Sequence, residues 1–487
     1  MTRWSLLRQF SYVAFANYLA EGLFVIRGLV VAYVLGPAAF GVWSAVRLVL
    51  LLSEYTDAGT GTAVVQCSPH AEGAGSLRRA LAHQRVAAGA TLLGALVAAI
   101  VVAMALGGWS ADAAVRRWWY LAALAIVTQQ AMDVYESALA AQRRFGWIAV
   151  SESVGAVLMC VGGIVGALWF GLDGLLVSVI GSNVVLLVLL PIVGPAYPWP
   201  VLRWRHTLRL IVVAWPIVLA ELLLVLLWSA DKLMLWLLRP PRELGIYAIQ
   251  SYFTAMVMLL PAVAGDVALP HLRWRLGRSK SPLAMGSLLI EGTRWLVGLG
   301  LPVIGLGALL LHLPIRWLLP AYEQAVAPGR LLMLASLPAI SVTFSATVLI
   351  ALSRPGQIIA SRAAAVAVVV VGAGWALLGG GGLVELAMVM AVGLALHAVL
   401  LMHLAMRATG VRGRAVMPTV MGWIGGYAAL VMLVVGLLIL IPDNPATLLE
   451  DVVLSAVRCA VLLVVSAPLG WLAWRSLRSP AVGGVAS

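Results

Sequence analysis

Residues 35–43 read Leu35-Gly36-Pro37-Ala38-Ala39-Phe40-Gly41-Val42-Trp43, and a related stretch returns as Leu238-Arg239-Pro240-Pro241-Arg242-Glu243-Leu244-Gly245-Ile246-Tyr247. Each stretch is preceded by the triplet Leu-Ala-Glu inside a long apolar run, with the acids at Glu21 and Glu221. The offset is 200 residues between the glutamates and 204 between Gly41 and Gly245, so the second copy carries four extra residues. Duplicated apolar segments with acids in corresponding places predict a membrane protein built from two halves.

The composition is that of a chain embedded in lipid. Hydrophobic residues make up 63% of the 487 positions, only 10% are charged, and the mean hydropathy is +1.03. Soluble domains carry about 25% charged residues, so the composition excludes a soluble globular protein. The net charge of +13 comes mainly from arginines in short loops, which indicates membrane topology rather than nucleic-acid binding. Cys67, Cys160 and Cys459 show neither disulfide nor zinc spacing.

Fourteen apolar runs are long enough to cross a membrane, which takes about 20 helical residues. The predicted spans are 10–34, 40–65, 86–108, 117–141, 146–170, 173–195, 208–238, 244–269, 286–311, 328–352, 358–379, 382–406, 418–441 and 453–474. The sequence therefore predicts an all-α, polytopic membrane protein of about 14 transmembrane helices. Residues 1–200 and 201–410 are expected to form two six-helix bundles related by a pseudo-twofold axis along the membrane normal. Residues 411–487 would add two peripheral helices and a short cytoplasmic tail.

The charges of the loops predict the orientation of the chain. With the N-terminus in the cytoplasm, 21 arginines and lysines fall on that side of the membrane and six fall on the other. Because basic loops are retained in the cytoplasm, both termini are expected to be cytoplasmic and the number of spans even.

Four short stretches carry a resemblance to a known family. They are the turn at 35–43, Asp57-Ala58-Gly59-Thr60-Gly61-Thr62-Ala63 at the end of the second span, Ala138-Leu139-Ala140-Ala141-Gln142-Arg143-Arg144 at the exit of the fourth, and its echo Ala351-Leu352-Ser353-Arg354-Pro355 after the tenth. In these motifs and in layout, residues 1–410 resemble the polysaccharide flippase (Wzx-type) family of the multidrug/oligosaccharidyl-lipid/polysaccharide (MOP) exporter superfamily.

The resemblance implies a bacterial inner-membrane protein with two bundles around a central cavity. Such a protein would flip polyprenyl-diphosphate-linked oligosaccharide from the cytoplasmic to the outer leaflet by alternating access. Its product would feed the synthesis of a surface polysaccharide such as lipopolysaccharide or exopolysaccharide. Its partners would be the lipid-linked glycan, membrane lipids, a glycan polymerase and glycosyltransferases.

Charged side chains inside apolar spans indicate binding residues, because each costs about 3 kcal/mol at the bilayer centre and faces a cavity or a partner. The predicted contacts to the diphosphate or to an acidic sugar are basic, since fixed cations replace the hydration that a phosphate loses. They are Arg27, Arg47, Lys232 and Arg294. The deep acids either bind H⁺ or Na⁺ and couple transport to an ion gradient, or balance the cations when no substrate is bound. They are Glu21, Glu54, Asp57 and Glu221.

Other polar residues receive a structural interpretation. Asp133, Glu136 and Glu152 lie within a few turns of the predicted cytoplasmic surface, where they would either snorkel to the surface or pair with loop arginines. Arg458 is expected at the outer interface of the membrane. His397 is interpreted as a packed, hydrogen-bonded histidine.

Several other functions remain open or are disfavoured. A lipid II flippase would have a similar layout, and a cation-coupled multidrug antiporter of the same superfamily would favour a cavity with fewer arginines. A membrane enzyme is disfavoured because the predicted outer loops reach only about a dozen residues. The chain contains no GxxxxGK[ST] stretch, so ATP is not expected to drive it. No catalytic residue, metal site or cofactor is predicted beyond the H⁺ or Na⁺ of coupling.

Overall fold

The computed structural model describes residues 3–108, 112–258, 283–410, 413–441 and 447–478, which form helices joined by short turns. The helices preceding residue 259 are α1 Arg3–Ser53, α2 Thr60–Gly73, α3 Leu77–Val102, α4 Ala113–Ala141, α5 Phe145–Val193, α6 Trp204–Leu238, α7 Pro241–Ala248 and α8 250–258. The later helices are α9 Leu283–Leu310, α10 His312–Leu318, α11 Val326–Ser341, α12 Thr343–Ala351, α13 Pro355–Leu378, α14 Leu383–Thr409, α15 Gly413–Leu440 and α16 Leu448–Arg478. A 3₁₀ turn at Glu54–Asp57 links α1 to α2.

Most of the predicted spans fall on these helices. α5 is interrupted at Gly171, where φ is 60°, and its two parts correspond to the predicted spans 146–170 and 173–195. α1 is interrupted at Gly36, where φ is 70°, and its first part contains the span 10–34. The predicted span 40–65 is not one helix, because α1 ends at Ser53 and the span continues through a 3₁₀ turn into α2. By length and hydropathy, eight helical segments of the described residues are able to cross a membrane. The predicted span 244–269 begins on α7 and α8, and its residues after 258 lie outside the described ranges. The basic residues between 273 and 280 also lie outside the described ranges. The prediction of an all-α, polytopic fold is confirmed.

The chain divides into two compact units. The first contains the residues up to Ser229 together with Arg239–Gly245, and the second contains Ala230–Leu238 and the chain from Ile246 onward. In the first unit α1 packs along α5, and α4 packs against both α3 and α5. In the second unit α14 packs against α11 and α13, while α9 packs against α11, α15 and α16. The division into 1–200, 201–410 and 411–487 stays a prediction.

Each unit contains the same turn at the exit of a helix, as the echo between 138–144 and 351–355 predicts. Arg143 ends α4 with φ of 58°, and Ser353 ends α12 with φ of 56°. In both turns the following N–H donates five residues back, from Arg144 to the carbonyl of Leu139 and from Arg354 to that of Leu349, each at 2.9 Å. This 6→1 bond with a left-handed residue is the usual way to satisfy the last carbonyls of a helix. The duplication is therefore visible in backbone geometry as well as in sequence.

The two copies of the opening motif meet within the first unit. A Cβ added to Gly41 would lie 1.7 Å from the carbonyl oxygen of Pro241, and one added to Gly245 would lie 1.9 Å from that of Pro37. The contact is reciprocal, because Pro37 and Pro241 occupy the same position in the two copies. Only glycine allows the backbones of α1 and α7 to approach this closely.

Buried polar contacts fasten the helices of the second unit. Asp451 of α16 accepts hydrogen bonds from Nε2 of His312 at 3.0 Å and from Nε1 of Trp317 at 2.8 Å. Arg458 is fully buried and donates from Nη2 to the carbonyl of Ile441 at 2.7 Å. Its expected position at the outer interface of the membrane stays a prediction. His397 is buried, and its Nδ1 lies 2.8 Å from the hydroxyl oxygen of Ser361, which confirms the interpretation of a packed histidine.

Candidate functional site

Two neighbouring cavities lie within the first unit. The first has a volume of about 390 Å³ and is lined by α1, α4 and α5. The second, of about 420 Å³, is lined by the 3₁₀ turn, α2, α3, α4 and α6. Most of the predicted site residues of this unit line one of these two cavities, and they separate into a group around Arg27 and a group around Asp57.

Arg27 is the cation of the first cavity. Its side chain is only 8% exposed, and Nη1 donates to the carbonyl of Met159, 3.5 Å away. A Cβ at Gly163 would lie 2.8 Å from Cδ of Arg27, so the absence of a side chain there makes room for the arginine. Glu21 lines the same cavity, and its buried Oε2 has no hydrogen-bond partner among the described residues. A buried carboxylate oxygen without a hydrogen bond costs free energy. Binding of a proton or a cation would reduce that cost.

Phe24 contacts both of the predicted arginines of α1. The guanidinium of Arg47 lies 4.3 Å from the centroid of the Phe24 ring, and that of Arg27 lies 5.5 Å from it. The guanidinium of Arg27 is also 5.9 Å from the ring of Trp43. These distances are within cation–π range. α1 therefore carries guanidinium groups and aromatic rings side by side, the residue types that bind phosphates and sugar rings.

Asp57 stabilises the turn that opens the second cavity. Its Oδ1 accepts the N–H of Gly59 at 2.7 Å, and its Oδ2 accepts that of Gly61 at 2.8 Å. Ala58 and Gly59 are left-handed, with φ of 49° and 85°. Because both carboxylate oxygens are occupied by backbone donors, Asp57 caps α2 at the edge of the cavity.

Glu54 and Glu221 line the second cavity with Asp57. Glu54 lies on the 3₁₀ turn, and its Oε1 accepts from Nε2 of Gln129 at 2.9 Å. Glu221 reaches the cavity from α6. The structure therefore brings together three of the four acids that the sequence singled out, and it places the fourth, Glu21, in the cavity next to them.

Asp133 and Glu136 line both cavities, a role that sequence reasoning missed. The sequence predicts that they, with Glu152, either snorkel to the cytoplasmic surface or pair with loop arginines. Instead, Oε1 of Glu136 accepts from the hydroxyl of Ser151 at 2.7 Å, and Glu152 lines the first cavity with a buried oxygen that has no hydrogen-bond partner in the described ranges. The spacing of the sequence could have indicated this role. Gln129, Asp133 and Glu136 are four and three residues apart, so they share one face of α4.

A tyrosine pair joins the segment after α5 to α4. The rings of Tyr135 and Tyr197 stack with centroids 6.0 Å apart, and the hydroxyl of Tyr197 donates to the carbonyl of Ala131 at 3.1 Å. Burial, and after it the negative charge of Asp133, raise the pKa of the Tyr197 phenol above its usual range. Tyr197 therefore remains a hydrogen-bond donor at physiological pH.

The remaining predicted cations belong to the second unit. Nζ of Lys232 lies 3.5 Å from Oδ1 of Asp231, whose other oxygen accepts from the hydroxyl of Tyr247 at 2.8 Å. Arg294 is exposed on α9. Lys232 and Arg294 line neither of the two cavities of the first unit. Across the part of the chain that the structure describes, no group of three His, Cys, Asp or Glu side chains is placed to hold a metal ion.

Comparison with known proteins defines the class. A family model described as "Polysaccharide biosynthesis protein" matches residues 30–274, half of the chain. The chain therefore belongs to this polysaccharide biosynthesis family, which confirms the resemblance that its motifs carry. No curated protein matches the sequence.

Solved structures define the fold. The lipid II flippase MurJ in an inward closed conformation matches with a TM-score of 0.69 and 11% identity, covering 96% of this chain and 99% of that one. An inward-facing multidrug resistance MATE family transporter of the MOP superfamily matches with a TM-score of 0.64 and 12% identity, covering 80% and 95%. A MOP superfamily transporter from Pyrococcus furiosus matches with a TM-score of 0.55 and 12% identity, covering 82% and 95%. The chain thus has the fold of MOP transporters and flippases.

Proposed function

We propose that this protein flips polyprenyl-diphosphate-linked oligosaccharide from the cytoplasmic to the outer leaflet of the bacterial inner membrane, with both termini in the cytoplasm. The observation that carries the proposal is the match to a polysaccharide biosynthesis family in a chain with a MOP fold. The movement of a lipid-linked glycan is the activity that fits both a family of glycan synthesis and a transporter fold. Glycosyltransferases would act before this step and a glycan polymerase after it.

Arg27 and Arg47 support the proposal by their chemistry. A diphosphate with its sugars loses its hydration if it enters about 30 Å of hydrocarbon. The planar guanidinium replaces that hydration with two parallel hydrogen bonds to phosphate oxygens. The centroid of the Phe24 ring lies 4.3 Å from the guanidinium of Arg47 and 5.5 Å from that of Arg27, so both groups are held beside one aromatic ring. In the second unit, Lys232 and Arg294 remain proposed contacts to the same ligand.

The acids of the two cavities support coupling to H⁺ or Na⁺. Glu21 and Glu152 have buried oxygens without hydrogen-bond partners among the described side chains, and Asp133 and Glu136 join the two cavities. A carboxylate in such surroundings gains from taking up a proton or a cation. In this proposal Glu21, Glu54 and Glu221 exchange the coupling ion, and Asp57 keeps the adjoining turn closed.

The test is the fate of the cargo in cells depleted of the protein. Lipid-linked oligosaccharides would be extracted, identified by mass spectrometry and assigned to a leaflet by their accessibility to an added glycosidase. We expect one polyprenyl-diphosphate glycan to accumulate on the cytoplasmic leaflet while surface polysaccharide is lost. Wild-type protein should restore export, and Arg27→Gln at equal membrane abundance should not. Normal surface glycans without accumulation would refute the proposal, and accumulation of lipid II would reassign the cargo to the peptidoglycan precursor.

One observation favours a second candidate, a cation-coupled multidrug antiporter. The first cavity contains Arg27 but also four carboxylates, Glu21, Asp133, Glu136 and Glu152. Among the described residues, the second cavity is lined by five carboxylates and by no arginine or lysine. Acidic walls suit organic cations. If depletion leaves surface glycans intact and instead raises sensitivity to cationic drugs, this second function would replace the first.

A further inference from the structure

We propose that a basic surface at the predicted cytoplasmic end of the first unit binds the phosphate of an anionic membrane phospholipid. The basic surface consists of Arg79 and His83 on α3 and of Arg203, His206 and Arg209 at the start of α6. It lies apart from the two cavities, whose linings include none of these residues. The inference goes beyond the proposed flippase activity and does not depend on which cargo is transported.

The backbone that carries this surface is firmly held. The segment 194–203 crosses α3, where the N–H of Val201 donates to the carbonyl of Arg85 at 2.9 Å and Nε of Arg85 donates to that of Trp199 at 3.4 Å. A Cβ at Gly89 would lie 2.7 Å from the carbonyl oxygen of Val201, so glycine is what allows the segment to approach the helix. The hydroxyl of Tyr135 fixes the start of the segment through the carbonyl of Pro195 at 2.8 Å. The basic surface is therefore built on a fixed scaffold.

The two histidines bring α3 and α6 into direct contact. Nε2 of His206 lies 2.8 Å from Nδ1 of His83, with the rings edge to face. One ring nitrogen must donate and the other accept, so the pair carries at most one positive charge while this bond exists. The outer nitrogen of each ring is left to meet a ligand.

The charge around the histidine pair is positive. Arg79 acts electrostatically on His83, and Arg203 and Arg209 act on His206. Among the described residues, none of these three arginines forms an ion pair with a carboxylate. Ion pairs such as Arg117 with Asp173 and Arg143 with Glu72 involve other arginines of this unit. Three arginines around a histidine pair repel a metal ion and attract an anion, and arginine is the residue that best fits phosphate.

Apolar neighbours identify the source of the phosphate as a lipid. Trp199, Leu202 and Trp204 flank Arg203 and are 78%, 64% and 70% exposed. Tryptophans in such positions lie at the level of lipid headgroups. Basic pockets on the cytoplasmic side of membrane helices bind anionic headgroups. A phospholipid would place its phosphate against the arginines and its acyl chains beside these apolar side chains, whereas a free phosphate ion would use only the charges.

The test is lipid binding by the purified full-length protein, followed by native mass spectrometry during titration with phosphatidylglycerol and, in parallel, with phosphatidylcholine. The variant is R203Q/R209Q, and its control is R116Q/R242Q, which removes the same number of exposed arginines elsewhere on the first unit. Each arginine near an anionic lipid strengthens binding about fivefold. We therefore expect a preference for phosphatidylglycerol that weakens about thirtyfold in R203Q/R209Q and not in the control.

Three outcomes would overturn the proposal. The first is equal binding of the two lipids by the wild-type protein, and the second is an equal loss in both double variants. The third is displacement of phosphatidylglycerol by inorganic phosphate at concentrations similar to those of the lipid, which would identify a site for the free ion. If R203Q/R209Q fails to fold, Arg79→Gln alone should weaken phosphatidylglycerol binding about fivefold, and unchanged binding by that variant would also reject the inference.

Discussion

At the scale of single residues, Asp57 illustrates how one side chain acts in two ways. Both of its oxygens accept backbone N–H groups of the turn that begins α2, and the same residue borders the second cavity. A carboxylate so occupied is a poor exchanger of ions. The structure therefore favours a capping role for Asp57 and leaves the proposed ion exchange to Glu21, Glu54 and Glu221.

Substitution of Asp57 separates these roles. We expect Asp57→Ala to lower the free energy of unfolding by about 1–2 kcal/mol, the usual cost of a lost cap, and Asp57→Asn to cost less because one amide oxygen still accepts. The measurement is thermal unfolding of the purified protein, with Asp112→Ala, which removes the cap of α4, as the reference for a simple cap. A transport defect in Asp57→Asn without loss of stability would return Asp57 to the coupling residues.

The carboxylates of α4 give the second prediction. Asp133 and Glu136 line both cavities, so removing their charge should abolish cation binding in both. We expect Na⁺ or acidification to raise the unfolding temperature of the wild-type protein, because a ligand of the native state stabilises it, and to have little effect on D133N/E136Q. Glu323→Gln, which changes an exposed acid of the second unit, is the control. Equal stabilisation of the wild type and D133N/E136Q would remove these acids from the ion site.

At the scale of the elements, the sequence predicted where the helices lie but not which face of a helix borders a cavity. The ends of α4 and α12 were predictable because the exit turns have a local chemistry that repeats at Arg143 and Ser353. The role of Asp133 and Glu136 was not, because a position near the predicted cytoplasmic end of α4 does not say which face of the helix opens to a cavity. That choice is made by packing against α3 and α5, and packing is not a property of one helix. The buried contact of Arg458 was unpredictable for the same reason, since the carbonyl that it binds belongs to the residue after α15.

The close approach of α1 and α7 gives the third prediction. An added methyl group at Gly245 would meet the carbonyl oxygen of Pro37 at 1.9 Å, and overpacking of this kind costs about 1–3 kcal/mol. We expect Gly245→Ala to lower the unfolding temperature and glycan export together. Gly181→Ala is the matched control, because a Cβ there meets nothing within 4 Å. Full stability and export in Gly245→Ala would show that the two helices can separate without consequence.

At the scale of the whole molecule, the fold is more widely shared than the cargo. Identities of 11% and 12% to MurJ and to a MATE transporter accompany coverage of 80% or more of this chain. Apolar runs, exit turns and glycine contacts are satisfied by many sequences, so they predict the architecture. In our proposal the cargo depends on a few charged and aromatic side chains such as Arg27 and Phe24. Family membership alone specifies polysaccharide biosynthesis without naming the glycan.

Topology provides the last prediction, because flipping toward the outer leaflet requires a defined orientation. The distribution of basic residues, 21 on one side and six on the other, predicts Arg78 in the cytoplasm and Arg116 outside. After replacement of Cys67, Cys160 and Cys459 by serine, single cysteines at these two exposed positions would be treated with a membrane-impermeant thiol reagent. We expect Arg116→Cys to react in intact spheroplasts and Arg78→Cys to react only after permeabilisation. The opposite pattern would invert the molecule, place the basic surface of Arg203 and Arg209 outside the cell, and overturn the proposed direction of flipping.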